Sequence, residues 1–292
     1  MSDPQHKPQP HSATLPELTD EERATYAWQL DLPGFGEDAQ RRLKAATVLI
    51  SRVGGLGGLV ALQLAAAGVG RLILAHGGTL KPSDLNRQLL QTHDHLGKPR
   101  IENILRRLRE LNPRIHLVGV QDNISDSNAS ALAQQADVIV DAAPLFEERL
   151  ALNRASVQLK KPMVECAMYA LEAHLTTFLP GRTGCLACLY PEPSPEWRRR
   201  FPVLGAVSGT VACMGAVEVV KIITGLAQPL AGTLLRMDLG SMRFERLTLR
   251  QRPGCSVCVP ALTLTLTPTP TPTPTPAEAP PIVSTSKSKE YE

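Results

Sequence analysis

The segment that most constrains the fold is residues 48–78, VLISRVGGLGGLVALQLAAAGVGRLILAHGG. An apolar strand leads into a glycine-rich turn, then a helix of small and apolar residues, then a second apolar strand. This order is typical of nucleotide-binding α/β folds, in which the loop backbone closely approaches a phosphate. Two positions depart from the pattern. Arg52 stands at the first glycine of G-x-G-x-x-G, and His76 ends the second strand, where an acidic residue normally holds a ribose.

Predicted strands and helices alternate through the middle of the chain. Apolar segments of strand length are TVLIS, RLILAH, IHLVGV, DVIVDAA and KPMVECAMY, and amphipathic helices such as KPRIENILRRLRELNP separate them. This alternation predicts a Rossmann-like, doubly wound α/β sheet that binds its ligand at the carboxyl ends of the strands. From about Leu171 the pattern favours antiparallel strands and one long helix of small residues over 205–224. We therefore expect a mixed sheet.

Four of the six cysteines form two C-x-x-C pairs. They are Cys185, Cys188, Cys255 and Cys258. In a reducing compartment this pattern favours a metal site over disulfides, and four thiolates suit a closed, structural zinc site. Two disulfides or free thiols are the alternatives. The other two, Cys166 and Cys213, lie in apolar segments and are predicted to be buried structural thiols.

Composition at the two ends predicts tails around a single ordered domain. Residues 1–17 are polar and proline-rich, and residues 262–292 carry a Thr-Pro repeat that cannot build a packed core, so both are predicted to be disordered. The domain is expected to span 18–261. A net charge of +3 is too small to indicate nucleic-acid or membrane-surface binding. The N-terminus lacks a signal-peptide pattern, so we expect a cytoplasmic protein.

An ordered set of motifs resembles a known family. The motifs are YAWQLDLPGFGEDAQRRLKAATVLI, GGLG, SDLNRQLL, LGKPRIENILRRLRELNP, the aspartate of DVIVDAA, the two C-x-x-C pairs and VLGAVSGTVACMGAVEVVKIITG. In this order and spacing they resemble the E1-like family of ThiF, MoeB and HesA over residues 22 to about 258. The resemblance implies an E1-like fold, a zinc ion, a dimer, and ATP- and Mg²⁺-dependent adenylation of the C-terminal Gly-Gly of a ubiquitin-like sulfur carrier.

Part of the adenylation site implied by this resemblance is retained. The glycine loop keeps Gly54, Gly55 and Gly57 at cofactor-binding positions, to which Arg52 and His76 also correspond. The positions that match the family's catalytic residues carry Arg87, Arg100 and Asp141, with Arg100 a conservative replacement of a lysine.

Other positions of the implied site have changed. They are Trp28 for an arginine that reaches the partner subunit's phosphates, Arg52 for glycine, His76 and Gly78 for acids, Asp84 for asparagine, and Pro144 for an aspartate that helps to hold Mg²⁺. Because adenylyl transfer depends on electrostatic stabilisation and positioning, each lost charge is expected to cost roughly 10²–10³ in rate.

Three altered features each allow two interpretations. Arg52 either fills the cleft or points to solvent, or its guanidinium binds a phosphate or carboxylate directly. His76 is interpreted as a polar strand-end residue more readily than as a base. The run Arg198–Arg200 is either a solvated surface or a docking patch for an acidic partner or its C-terminal carboxylate. The surrounding loop, 190–205, contains no cysteine, so a covalent sulfur relay through it is not expected.

Three functions follow from these observations. The first is a degenerate E1-like protein that binds a carrier or a peptide C-terminus, as a homodimer or beside an active paralogue, and adenylates poorly or not at all. The second is an active adenylyltransferase with a rewired ATP site, in which Arg52, Arg87 and Arg100 hold phosphates and Asp141 holds Mg²⁺. The third is a binder of another ligand, such as a peptide or dinucleotide, although the missing strand-end acid argues against NAD.

Overall fold

The structure is a computed structural model that describes residues 15–194 and 196–259. The tails predicted to be disordered lie almost wholly outside these residues, so that prediction stands untested. At the described N-terminal end, Arg41 donates hydrogen bonds to the carbonyl oxygens of Leu15 and Pro16. These contacts tie the start of the described chain to the domain.

An eight-stranded mixed sheet in the order β3-β2-β1-β4-β5-β6-β7-β8 forms the centre of the domain. The strands are β1 (Thr47–Ser51), β2 (Arg71–Ala75), β3 (His116–Val120), β4 (Val138–Asp141), β5 (Met163–Tyr169), β6 (Glu172–Phe178), β7 (Thr233–Asp238) and β8 (Arg243–Thr248). The first five are parallel to one another, and β6 to β8 continue the sheet as antiparallel strands. The predicted doubly wound mixed sheet is confirmed.

Nine α-helices, besides the short 3-10 helices Pro82–Asp84 and His93–His95, accompany these strands in the described part of the chain. They are α1 (Asp20–Thr25), α2 (Ala27–Leu30), α3 (Gly36–Ala45), α4 (Gly57–Ala66), α5 (Arg100–Leu111), α6 (Ala129–Gln134), α7 (Phe146–Leu159), α8 (Leu186–Leu189) and α9 (Gly205–Thr224). Alternating side chains of β1 face opposite sides of the sheet. Val48 and Ile50 pack with the helices α3, α4, α5 and α9, whereas Leu49 packs with α6 and α7.

Helix α9 is long and apolar enough to cross a membrane by length and composition alone. In the structure it packs against α4, β5 and β6, and Val211, Ala212 and Val219 belong to the hydrophobic core. Its apolar character is therefore accounted for by its place as a central helix of this domain.

The two cysteines outside the C-x-x-C pairs differ in burial. Cys166 is buried, as predicted, and its sulfur lies where a side chain at Gly215 would be, since a Cβ there would come within 2.5 Å. The prediction for Cys213 is wrong, because this residue is exposed. It shares the outer side of α9 with Thr210 and Val217, three and four positions away, so the helical period carries it out of the core.

Candidate functional site: a cationic cleft and a four-cysteine cluster

A cleft of about 960 Å³ opens at the carboxyl ends of the parallel strands. From β1 the chain continues to β2 and β3 on one side and then returns to β4 on the other side of β1. The strand order therefore reverses at β1. Ligands of doubly wound sheets bind at such a reversal. The glycine loop after β1, the start of α7, the β5–β6 turn and the loop 190–204 all contribute to the lining.

The predicted glycines hold the loop close to its neighbours. A Cβ on Gly57 would lie 2.7 Å from the carbonyl oxygen of Arg52, so only glycine allows the chain to enter α4 here. A Cβ on Gly55 would lie 2.9 Å from Cγ of Arg87, whose side chain packs across the loop. Gly54 faces His76 and Gln88. The glycines are therefore required by the packing of the loop itself, and Gly54 and Gly55 also line the cleft.

Arg52 is buried in the cleft wall and paired with an acid of the same chain. Its Nε and Nη2 donate to the two carboxylate oxygens of Glu148, at 2.7 and 2.5 Å. Both side chains are about nine-tenths buried. Arg52 thus occupies the cleft wall and binds a carboxylate of α7, and binding of a ligand anion by its guanidinium stays a prediction.

Asp84 binds two of the predicted phosphate-contacting arginines. Nη2 of Arg100 donates to its carboxylate at 2.7 Å, and Nη2 of Arg87 donates at 3.4 Å. Arg100 is buried and also donates to the carbonyl oxygen of Gly77. Burial alone would raise the pKa of Asp84, but the hydrogen bonds from Arg100 and the Lys81 backbone outweigh it and lower the pKa. The acid that replaces the family's asparagine is thus an ion-pair partner.

Asp141 is fully buried at the end of β4 and is paired with Arg149 of α7. Nε of Arg149 donates to its carboxylate at 2.8 Å, and Nη2 donates to Glu165 on β5. Burial raises the pKa of Asp141 despite the opposing charge of Arg149. For Glu165 burial acts in the same direction, but His174 and Arg149 outweigh it and lower the pKa. The carboxylate predicted to hold Mg²⁺ is occupied by a guanidinium.

His174 extends this buried cluster towards the cleft. Its Nε2 lies 3.0 Å from a carboxylate oxygen of Glu165 and 2.7 Å from the hydroxyl of Tyr190. His174 and Tyr190 both line the cleft. Glu148, Arg149, Glu165 and His174 were all missed by sequence reasoning. The only signal in the sequence was charge inside otherwise apolar elements, as in FEER and MVEC.

His76 is buried at the end of β2 and keeps a neutral imidazole. Burial lowers its pKa from 6.5 to about 4, helped by the positive charges of Arg100 and Arg52. Its Nδ1 and the Oε1 atom of Gln88 are buried without a hydrogen-bond partner in the described structure. A charged hydrogen-bond acceptor for a ribose is therefore absent from this position.

The altered positions 28 and 144 have different surroundings. Trp28 is 94% exposed and does not line the cleft of its own chain. Pro144 lies in the cleft wall, and its carbonyl oxygen accepts a hydrogen bond of 2.7 Å from the indole N–H of Trp197. Trp197 also packs edge-on against Phe146 and beside Phe201. This aromatic contact fixes the loop 190–204 over the cleft.

All three arginines of the basic run in this loop are exposed, although the charge of Arg199 is partly screened from water by its neighbours. Arg199 and Arg200 line the cleft. Burial and then the positive charge of Arg52 lower the pKa of Arg199. Because guanidinium groups outnumber carboxylates around the cleft, the site favours an anionic ligand.

The four C-x-x-C cysteines come together, with their sulfur atoms all within 4.8 Å of one another. The sulfurs of Cys185 and Cys255 are 3.8 Å apart, and those of Cys188 and Cys258 are 3.4 Å apart. Tetrahedral metal–thiolate bonds of about 2.3 Å place sulfurs roughly 3.8 Å apart, so the cluster can hold a metal ion.

Neighbouring polar groups orient these sulfurs. The side-chain amide of Asn153 points to the sulfur of Cys185 at 3.5 Å, and the backbone N–H of Arg252 points to that of Cys188 at 3.3 Å. Burial opposes ionisation of Cys255, but backbone N–H groups of Cys258 and Val257 lower its pKa to about 7. Burial instead raises the pKa of Cys185 to about 11 and also raises that of Cys258, so a metal would displace protons from these thiols as it binds.

A glycine loop at the reversal of a mixed α/β sheet, together with a four-cysteine cluster at the end of the domain, defines an E1-like protein. Residues 26–257 match the ThiF family. The chain belongs to this family, within the E1-like group of ThiF, MoeB and HesA proteins.

Relatives and a solved structure support this assignment. Protein HesA of Leptolyngbya boryana is 51% identical over 243 residues, 83% of this chain and 87% of that protein. A sulfur carrier protein adenylyltransferase of Thermus thermophilus is 35% identical over 249 residues, 82% of this chain and 92% of its own length. The crystal structure of E. coli MccB with MccA-N7isoASN superposes with a TM-score of 0.73 at 25% identity, covering 80% of this chain and 74% of MccB.

Proposed function

We propose that this chain binds the C-terminal tail of a ubiquitin-like sulfur carrier, or a peptide C-terminus, in the cationic cleft, and that its own adenylation activity is impaired or lost. The family contains adenylyltransferases that act on such carriers. The observation that carries the proposal is the pairing of Asp141 with Arg149 inside the protein, next to a proline at position 144.

Adenylation needs carboxylates that are free to hold Mg²⁺ against the phosphates of ATP. Three acids in or behind the cleft wall are engaged by arginines, and of these only Asp84 lines the cleft itself. Glu148 is paired with Arg52, Asp84 with Arg100, and Asp141 with Arg149. A metal would have to compete with a buried guanidinium for at least one oxygen of each carboxylate. The geometry therefore supports binding of an anion more than metal-assisted transfer.

The shape of the cleft suits an extended peptide tail. Its floor is the carboxyl end of the sheet, and its roof is the loop held by Trp197, with Arg199 and Arg200 directed along the lining. An aromatic roof and guanidinium groups are chemically suited to a chain that ends in a carboxylate.

The remaining features of the proposal follow from the site and the family. We infer that the four-cysteine cluster holds zinc, which Cys₄ donor sets commonly bind as a closed structural site. We infer a dimer, formed by two copies or with an active paralogue, and a cytoplasmic location. The exposed side chains of Leu89 and Leu111 line one small depression, and this apolar surface is one that a second subunit would cover.

The test is ATP–pyrophosphate exchange with a purified carrier partner and Mg²⁺. The wild-type chain is expected to bind the carrier while supporting little exchange. The matched variant carries Trp28→Arg, His76→Asp and Pro144→Asp, which restores the three family residues, and is expected to gain exchange. Wild-type exchange equal to that of an active relative would contradict the proposal, as would a triple variant that stays inert with a carrier that it binds.

A second candidate is an active adenylyltransferase in which arginines replace the metal. Arg52, Arg87, Arg100 and Arg199 converge near the glycine loop, and their charges influence one another. Such a cluster could neutralise a triphosphate directly. Exchange that persists in excess chelator would favour this function over the first.

A further inference from the structure

The ion pair between Arg52 and Glu148 lies at the point where a ligand anion is expected. Arg52 follows β1 directly, and its two hydrogen bonds to Glu148 reach the first turn of α7. The pair thus bridges the glycine loop and α7 next to the strand-order reversal between β1 and β4.

The backbone of Arg52 is held in an unusual conformation. Its φ angle is +53°, in the left-handed region that is unfavourable for a residue with a Cβ. The glycine that this position carries in the family would adopt it without strain. A side chain retained here at a conformational cost, and directed into a ligand cleft, points to a binding role.

Glu148 presents a carboxylate in the orientation that a peptide C-terminus would adopt towards a guanidinium. Both of its oxygens accept from the planar fork of Arg52, the geometry that carboxylate ligands form with arginine. Arg199 lines the same cleft and forms no salt bridge with any described residue, although the charges of Arg52 and Glu148 both reach it.

We propose that Glu148 is an internal ligand that occupies a carboxylate-binding site formed by Arg52 and Arg199, and that the terminal carboxylate of an incoming peptide tail binds there by displacing it. The inference rests on the proposed role of the cleft in holding a peptide C-terminus and names the residues that contact its carboxylate. It also makes Glu148 a competitor that lowers the affinity for that ligand.

The test measures binding of acetyl-glycyl-glycine to the full chain by calorimetry, with the C-terminal amide of the same peptide as the ligand control. Glu148→Gln removes the competing charge and is expected to bind the peptide roughly tenfold more tightly than wild type, because Arg52 gains a free carboxylate partner. The amide is expected to show no such gain. The exposed neighbour Glu147 supplies the matched control, since Glu147→Gln removes the same charge without touching Arg52.

A double-mutant cycle separates the specific effect from general electrostatics. In an Arg52→Gly background, Glu148→Gln is expected to give no gain in affinity, because the guanidinium that it frees is absent. An equal gain with and without Arg52 would overturn the proposal, and so would an unchanged affinity in Glu148→Gln. Arg199→Ala is expected to weaken peptide binding in the Glu148→Gln chain.

A second variant and a second ligand complete the test. If Glu148→Gln proves unstable, Glu148→Asp keeps the charge on a shorter side chain and is expected to give an intermediate gain. Inorganic pyrophosphate replaces the peptide in a parallel titration, and a gain in affinity for pyrophosphate alone would overturn the assignment of the site to a carboxylate.

If wild type still captures a carrier while Glu148→Gln shows no gain in peptide affinity, only this inference fails. If no variant binds either the carrier or the peptide, the proposed function fails as well.

Discussion

The four-cysteine cluster keeps the residues of the family pattern that the sequence resembles, whereas the cleft departs from that pattern. The cluster keeps its four sulfur ligands at the expected spacing, and the structure brings them within 4.8 Å of one another. The cleft keeps its glycine loop, Arg87 and Asp141, but Arg52 and Asp84 are changed, and charges around the cleft are paired with each other, as in Arg52 with Glu148. The cluster presents four sulfur atoms that can hold a metal ion, whereas arginines and acids of the cleft bind one another.

The difference follows from what each site must do. A structural metal site needs a fixed donor set, because removing one thiolate opens the coordination sphere. If the cleft has lost Mg²⁺ binding, as we propose, its acids are free to form ion pairs, provided that every buried charge keeps a partner. The pairing of Arg149 with both Asp141 and Glu165 meets that condition. We therefore expect the two regions to respond differently to removal of a single side chain.

The largest effect is expected at the cluster. Cys255→Ser removes one of the four sulfurs, so the protein should lose its bound metal, and the segments around the two C-x-x-C pairs should unfold first. We expect the melting temperature to fall by roughly ten degrees, which corresponds to about 4 kcal/mol for a domain of this size. Metal analysis and calorimetry measure both changes.

The exposed cysteine provides the control for this prediction. Cys213→Ser makes the same substitution outside the cluster and should leave metal content and melting temperature unchanged. A full complement of metal in Cys255→Ser would show that the cluster is not the metal site.

The next largest effect is expected in the cleft, at Arg149. Arg149→Ala leaves two buried carboxylates without their guanidinium, which should reduce the free energy of unfolding by about 3–5 kcal/mol. On the same helix, Arg154 pairs with Asp126 at the surface, so Arg154→Ala should cost less than about 1 kcal/mol. Urea unfolding of both variants makes the comparison, and equal losses would contradict the buried-pair account.

A smaller, pH-dependent effect is expected from His76. Its folded-state pKa is lowered to about 4 from 6.5, so below pH 6.5 the unfolded chain takes up a proton that the folded chain refuses. The stability contributed by the neutral imidazole is present above pH 6.5 and is lost as the pH falls towards 4, by about 3 kcal/mol. His76→Gln should not show this part of the loss. Parallel unfolding curves for the variant and wild type between pH 7 and 4 would contradict the assignment.

The fold could be predicted because its signals are local and repeated. Apolar strands of four to seven residues alternate with helices, and the glycine loop fixes the first β–α connection, so the parallel half of the sheet follows from the sequence. The C-x-x-C spacing likewise predicted the cysteine cluster. The outward position of Cys213 was missed because α9 is apolar on most sides, and composition alone does not show which side faces solvent.

The ion pairs of the cleft could not be predicted, because their partners are far apart in the sequence. Arg52 and Glu148 are brought together only when β1 and α7 take their places beside β4. From the sequence, Arg52 either fills the cleft or points to solvent, or binds a phosphate or carboxylate directly, and nothing in the sequence indicated that a carboxylate of the same chain lies against it. The partners of Asp141 and Asp84 were hidden for the same reason.

The central claim is that the carboxylates of the cleft are occupied by arginines and hold no Mg²⁺ for catalysis. Equilibrium dialysis of labelled ATP against the metal-loaded protein, with Mg²⁺ and then with excess EDTA at a concentration that leaves the cysteine cluster filled, tests it directly. The account predicts either no binding or binding of equal affinity under the two conditions. Saturable micromolar binding that requires Mg²⁺ would contradict it.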